Sequence, residues 1–197
     1  ALPARRDIDL ALLGMMSVRI IADATALDPP LPALEFSGAL TESPGKLFTL
    51  AENPHFLSRA RLVHAEVTEL DEERAFRQIC SAKFPRARLV QLNESAGPPS
   101  TWSGPVQPEE SRGSRAERAE IVIDRPDRVG LELNVAAPGW LVLSDTHAPG
   151  WIATVGGARR PVLRANYAFR AVAVEPGDRY VEFRYEPESV TWGWRGT

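Results

Sequence analysis

The chain has 197 residues, 44% of them hydrophobic and 25% charged, which is enough for one full-sized domain or two small ones with a buried core. A net charge of −3 and an isoelectric point near 5.7 exclude the basic footprint of a nucleic-acid binder. The one cysteine, Cys80, excludes an internal disulfide framework and a multi-cysteine metal knot. No run approaches the roughly 18 apolar residues of a membrane span, since the richest, residues 11–18, is broken by Gly14 and Ser17. The chain starts at Ala1 with neither an initiator methionine nor a signal segment, which reads as a fragment of a longer protein or a processed chain.

The first half mixes helix and strand signals. Residues 7–13 read as a short apolar helix and residues 18–22 as a brief buried strand, followed by a proline-rich loop at 28–32. Residues 46–50 and 60–67 are strand candidates. The best helix lies at 70–84, with Thr68 and Asp71 as a capping box, Phe76, Ile79 and Cys80 at helical spacing, and Pro85 as its stop. A strand at 87–92 closes an α/β subdomain over residues 1–95. Residues 96–118 form a flexible linker or loop: between Ser95 and Arg118 there are 5 Ser, 4 Pro and 3 Gly.

From 119 to 197 the pattern is pure strand. Val129, Leu131, Leu133 and Val135 alternate with polar or small residues, as do Val181, Phe183 and Tyr185. Between them lie strands near 140–144, 151–155, 161–163 and 168–174, separated by Pro138-Gly139, Pro149-Gly150, Gly156-Gly157 and Pro176-Gly177. Short strands at regular spacing predict an antiparallel β-sandwich, jelly-roll-like, so the fold class is α+β: a small α/β subdomain followed by a sandwich.

The chemistry-bearing residues are sparse. His55, His64 and His147 are scattered, and Asp145 with His147 supplies only two potential ligands, too few for a metal site. Ser144 lacks the glycine-flanked elbow of an activated serine. Gly156-Gly157 lies between strand-like runs and reads as a hairpin turn, not a phosphate cradle. All five tryptophans, Trp102, Trp140, Trp151, Trp192 and Trp194, fall in the second half. Trp140 opens an apolar strand and reads as core. Trp151, just after Pro149-Gly150, is either core or a rim residue that stacks on a sugar face. Trp192 and Trp194 flank Gly193 and read either as anchors at a membrane interface or as a last strand packed on the sheet.

Several stretches carry a resemblance: Gly139-Trp140-Leu141-Val142-Leu143-Ser144-Asp145-Thr146, then Pro149-Gly150-Trp151, then Leu163-Arg164-Ala165-Asn166-Tyr167-Ala168-Phe169-Arg170, Pro176-Gly177 and Val181-Glu182-Phe183-Arg184-Tyr185-Glu186-Pro187. In order and spacing, residues 119–193 resemble the C-terminal extracytoplasmic region of the bacterial YfhO family. Leu13-Gly14, Val18 to Ile21 and Asn53-Pro54 to Arg59-Ala60 add a weaker likeness in the first half. Members of that family are polytopic membrane proteins similar to GT-C glycosyltransferases, implicated in moving sugars from polyprenyl-phosphate carriers onto cell-envelope polymers. The chain departs from the family at Gly156, where an aspartate is usual, at His147-Ala148, where an aromatic often precedes Pro-Gly-Trp, and at Ser58, where proline is usual.

The resemblance implies a location on the extracytoplasmic face of the bacterial cytoplasmic membrane, periplasmic if the source is Gram-negative. It implies two partners, the transmembrane part of the parent chain and a cell-envelope glycan, with no nucleic acid. It implies no cofactor in this region and a polyprenyl-phosphate sugar donor for the parent. Catalytic carboxylates in such enzymes lie beside N-terminal membrane helices, so no catalytic residue is carried over, and whether the parent is itself a transferase stays open. The expected function is a non-catalytic domain that positions acceptor glycan or caps the membrane active site. Its expected glycan contacts are Trp151, Asp145, His147, Asn166 and Tyr167, with Trp192 and Trp194 next to the membrane. One alternative is a purely structural or assembly domain; another is an independent hydrolase built on Ser144 and His147.

Overall fold

A computed structural model describes residues 10–23, 49–93 and 117–187. The chain divides into two compact units, residues 1–58 and residues 59–197.

In the first unit, helix α1 (Leu10–Met15) precedes an antiparallel pair, β1 (Ile20–Asp23) and β2 (Thr49–Glu52), with Ile20 opposite Glu52. Buried Asn53 fastens these pieces together. Its Nδ2 donates to the carbonyls of Leu10 and Val18 at 2.9 and 3.0 Å, and its Oδ1 accepts the His55 amide at 3.0 Å. One side chain thus satisfies a helix-start carbonyl, a loop carbonyl and a turn amide, groups that are costly to leave unpaired when buried. Gly14 is required here, because a Cβ would run into the His55 carbonyl.

The second unit is a β-sandwich. Its strands are β3 (Ala60–Val63), β4 (Ala65–Thr68), β5 (Leu89–Leu92), β6 (Arg118–Arg125), β7 (Arg128–Asn134), β8 (Gly139–Thr146), β9 (Trp151–Val155), β10 (Ala158–Arg160), β11 (Leu163–Ala165), β12 (Phe169–Val174) and β13 (Tyr180–Tyr185). They form a five-stranded sheet, β10-β9-β13-β7-β6, and a six-stranded sheet, β3-β8-β12-β11-β5-β4. Every neighbouring pair is antiparallel except β4 and β5, which are parallel and joined through helix α2 (Glu72–Cys80), as a parallel connection requires.

Period-two alternation builds the core between the sheets. Val129, Leu131 and Leu133 of β7, Ala153 and Val155 of β9, and Val181 and Phe183 of β13 meet Leu141 and Leu143 of β8 and Val172 and Val174 of β12. The other face of the six-stranded sheet is also dry: Val63, Val90, Leu92, Trp140, Val142, Leu163, Ala165 and Ala171 form a second cluster. This explains why β8 and β12 read as nearly continuous apolar runs. The two borders of this sheet, β3 and β4, are separated in sequence by His64 alone. Three consecutive residues span at most about 7 Å between their outer Cα atoms, so at this corner the borders meet and the sheet curls around the second cluster. Trp140 fills its interior, with the indole N–H donating to the Glu66 carboxylate.

His64 is pinned at the corner from both sides. Its Nδ1 lies 2.9 Å from the Pro138 carbonyl and its Nε2 lies 2.7 Å from the Glu117 carboxylate. Both partners are acceptors, so making both bonds requires the imidazolium, and the bond to Glu117, above all, raises the imidazole pKa. Burial pushes the Glu117 carboxyl up, but the bonds from His64 and from the Ala136 amide outweigh it and hold the group below the ordinary range.

Sequence and structure part company in three places. Strands β3, β4 and β5, read as the end of an α/β subdomain reaching residue 95, are built into the sandwich, whose compact unit starts at Arg59. β3 pairs with β8 and β5 with β11, long-range pairings that local pattern does not reveal, and β4 joins the sheet through β5. The predicted strand at 60–67 is two strands on opposite borders of one sheet. The predicted helix at 70–84 is shorter, Glu72–Cys80, with Asp71 as its N-cap accepting the Arg74 amide at 2.7 Å, while Thr68 belongs to β4. Phe76 faces outward, whereas Ala75 and Ile79 are buried. The predicted proline-rich loop at 28–32 and residues 96–116 of the predicted linker lie outside the described residues, as do Trp102, Trp192 and Trp194, while Arg118, the last residue of that predicted linker, opens β6.

Candidate functional site

Two irregularities in strand pairing create a polar cleft at one mouth of the sandwich. In β6 the register against β7 slips between Ile121 and Ile123, leaving Val122 as a bulge. Ile121 packs on the inter-sheet core, but Ile123 pairs with Gly130 and Asp124 pairs with the buried Val129. Directly opposed residues share a face, so the extra residue turns Asp124 inward. In β12 the register against β8 slips between Phe169 and Arg170. Arg170 pairs with Leu143, so it continues the inward stripe of Val172 and Val174 as a guanidinium, and Asp145 likewise continues the stripe of Leu141 and Leu143 as a carboxylate.

These ends meet. Asp145 accepts from Arg59 Nε at 2.7 Å, Arg59 Nη2 at 2.9 Å and Arg170 Nη2 at 2.8 Å. Arg59 also forks onto Asp124, with Nη1 at 2.7 Å and Nη2 at 3.1 Å. One guanidinium therefore bridges two carboxylates. The Arg170 side chain is 4% exposed, and its guanidinium lies 3.8 Å from the centroid of the Trp151 ring, a cation–π contact made in a dry setting. Trp151 in turn tilts against Tyr185 at 5.3 Å. It is held there by Gly150, whose φ of +97° and closeness to Pro187 leave no room for a Cβ. Arg59, Asp124, Asp145, Trp151 and Arg170 together wall a cleft of about 400 Å³.

The network is electrostatically self-consistent. The bond to Asp145 first, and then that to Asp124, raise the Arg59 pKa, and the bond from Arg59 holds the Asp124 carboxyl below its ordinary value. Burial lowers the Arg170 pKa, against the pull of Asp145. Behind the cleft, burial pushes Arg61 down to about 10, and Arg61 Nη1 donates to Ser144 Oγ at 2.9 Å.

Of the sequence-predicted contacts, Asp145 and Trp151 line this one cleft. His147 stands just past the end of β8, its amide donating to the Ala168 carbonyl at 2.7 Å. Asn166 is buried and does structural work: its Oδ1 accepts the Gln91 amide at 2.9 Å and its own amide donates to the Gln91 carbonyl at 2.7 Å. Its φ of +46° belongs to the left-handed region that asparagine tolerates. Tyr167, at φ +71°, packs instead against Phe76, with ring centroids 5.2 Å apart. Arg59, Asp124 and Arg170 were missed. The usable signal was a charged residue placed where an apolar alternation should continue, as at Asp145 and Arg170. Arg59 was marked only by the resemblance at Arg59-Ala60, and nothing local marks Asp124. Among the described residues no three His, Cys, Asp or Glu side chains gather to hold a metal ion, and no helix there is long and apolar enough to cross a membrane.

No protein-family model, curated protein or solved structure matches this chain.

Proposed function

We propose that the chain is a non-catalytic, glycan-handling module of a polytopic membrane protein resembling lipid-linked-sugar glycosyltransferases. In this reading it stands on the extracytoplasmic side of the membrane and positions an acceptor glycan or caps the membrane-embedded site. The observation that carries the reading is the mouth cleft. Arg59 and Arg170 are paired with the two aspartates beside a half-buried indole, and Arg125 adds a third guanidinium to the lining, so the cleft presents matched donors and acceptors with a modest positive excess. The paired donors and acceptors suit hydroxyl groups. Asp124, 57% exposed at its side chain, and Arg59 are the groups a sugar hydroxyl reaches first. No catalytic residue and no cofactor is assigned to this region, and a polyprenyl-phosphate sugar would be handled by the membrane part of the parent.

The test is titration of the protein with envelope polysaccharide fragments, followed by the difference in tryptophan emission between the native chain and Trp151→Phe. Saturable change that Trp151→Phe removes supports the reading, and a flat response at millimolar ligand refutes it. A second reading, a purely structural or assembly domain, is favoured by one feature: Arg170 lies on the indole face that a sugar ring would otherwise stack on. Retained complex formation with the membrane part after Asp124→Ala and Arg59→Ala, with no glycan response, would support that alternative.

A further inference from the structure

We infer that the outward face of the five-stranded sheet is a second ligand site, for a neutral oligosaccharide, with Tyr180 as its stacking platform. This rests on the glycan-handling reading above but concerns a different surface.

In β7, Gly130 is the residue without a side chain on the outward face, and the Tyr180 hydroxyl occupies the space that its Cβ would take. Tyr180 is paired not with Gly130 but with Glu132, two residues along the strand. The phenol must therefore run along the sheet instead of standing up from it, since an upright side chain would not reach the next outward position. The β6 bulge supplies the lateral wall, because it turns Ile123 outward to within about 3 Å of that same spot. Tyr180 stays 36% exposed, so a recumbent ring offers a face to solvent.

On the β9 and β10 side Tyr180 borders a shallow depression of about 480 Å³, within the size range of small-molecule sites. Ile152 and Thr154 form its floor and the Gly156-Gly157 turn one end. Both turn glycines have positive φ, and around Gly157 there is open space where a side chain would be. Its charges are already matched. Arg184 Nη2 donates to Glu182 at 2.6 Å and Arg159 donates to Glu186 at 3.3 Å, two arginines against two glutamates. A site for an anion would leave arginines unspent, and a site for a cation would leave carboxylates unspent. Here alternating donors and acceptors with balanced charge border a flat aromatic face, which complements a pyranose ring with its apolar face down and its hydroxyls around the rim.

The experiment is an amide chemical-shift titration of the whole chain with maltohexaose, cellohexaose and N-acetylchitohexaose. At least one should shift Thr154, Gly156, Gly157 and Glu182. Tyr180→Ala should weaken that response about threefold to tenfold, the worth of one ring contact, while Tyr180→Phe keeps it. Because Tyr180→Ala also uncovers Gly130, the map on the native chain stands as the independent readout. Shifts confined to Arg59, Asp145 and Trp151 would overturn the second site and leave the proposed function standing. So would shifts at the sheet face that appear on raising protein concentration alone, which would make the occupant a second copy of the chain. A response only to polygalacturonate would overturn the neutral class, and silence with all three neutral sugars overturns the inference.

Discussion

Replacing Asp145 by Asn keeps the shape of the side chain at the centre of the mouth network and removes its charge. Among the described residues Arg170 has no second carboxylate: its Asp145 bond is its ion pair there, its side chain is 4% exposed, and its Nε and Nη1 find no hydrogen-bond partner among them. Arg59 keeps Asp124 and is 36% exposed at its side chain, so its loss is small. The cost is therefore that of one buried charge left uncompensated, about 3–5 kcal/mol. For a domain of this size each kcal/mol moves Tm by roughly 2–4 °C, so the variant should melt on the order of 10 °C lower. Urea unfolding followed by far-ultraviolet circular dichroism measures the difference. Arg170→Met in the same background should recover part of it, because an apolar side chain of similar length needs no counter-charge, and the double-mutant cycle should show coupling of at least about 1 kcal/mol. A cost for Asp145→Asn below about 1 kcal/mol, the range of an exposed pair, would refute the buried-charge account.

Three further outcomes follow from particular contacts. The folded-state pKa of His64 is raised above 6.5, so the stability from its pairing is complete below that value and is lost as pH rises through the folded pKa. That of Glu117 is held below 4.5, so its contribution is lost as pH falls through the folded value. The Tm advantage of the native chain over His64→Gln should therefore be greatest near pH 5–6 and should shrink towards pH 9 in a series of thermal melts; an advantage that grows with pH would contradict the imidazolium assignment. Gly139→Ala would place a Cβ 2.6 Å from His64 Nδ1 and 2.7 Å from the Val63 carbonyl, and denaturant titration should show a loss of about 1–3 kcal/mol. Phe183→Ala empties a fully buried position between the sheets and should cost about 3–5 kcal/mol by the same measurement.

Legibility in the sequence followed the range of the interaction. The alternation of Val129, Leu131 and Leu133, and the Pro-Gly and Gly-Gly turns, are local signals, and the sandwich strands could be read from them. Trp140 was legible as core because it sits in an apolar run. The place of β3 and β5, and of β4 that joins through β5, was not, because β3 and β5 pair with β8 and β11, and a four-residue strand carries no information about a partner 70 or more residues away. Asp145 and Trp151 could be singled out by their turn and their residue type. Arg170 was marked only as a charge continuing the apolar alternation of Val172 and Val174, and Asp124 could not be joined to them, because its face depends on a register slip. Asn166 looked like a polar contact for a ligand, but its buried amide is engaged by the backbone of Gln91.

The bulge in β6 decides which face of the sandwich each later residue of that strand takes. Val122 is 46% exposed and opposes no residue of β7. Regular pairing of the same residues would set Val122 against Gly130 and Ile123 against Val129, sending Asp124 to the outer surface and Ile123 into the interior, and so would dismantle the mouth network while leaving every one of its side chains encoded.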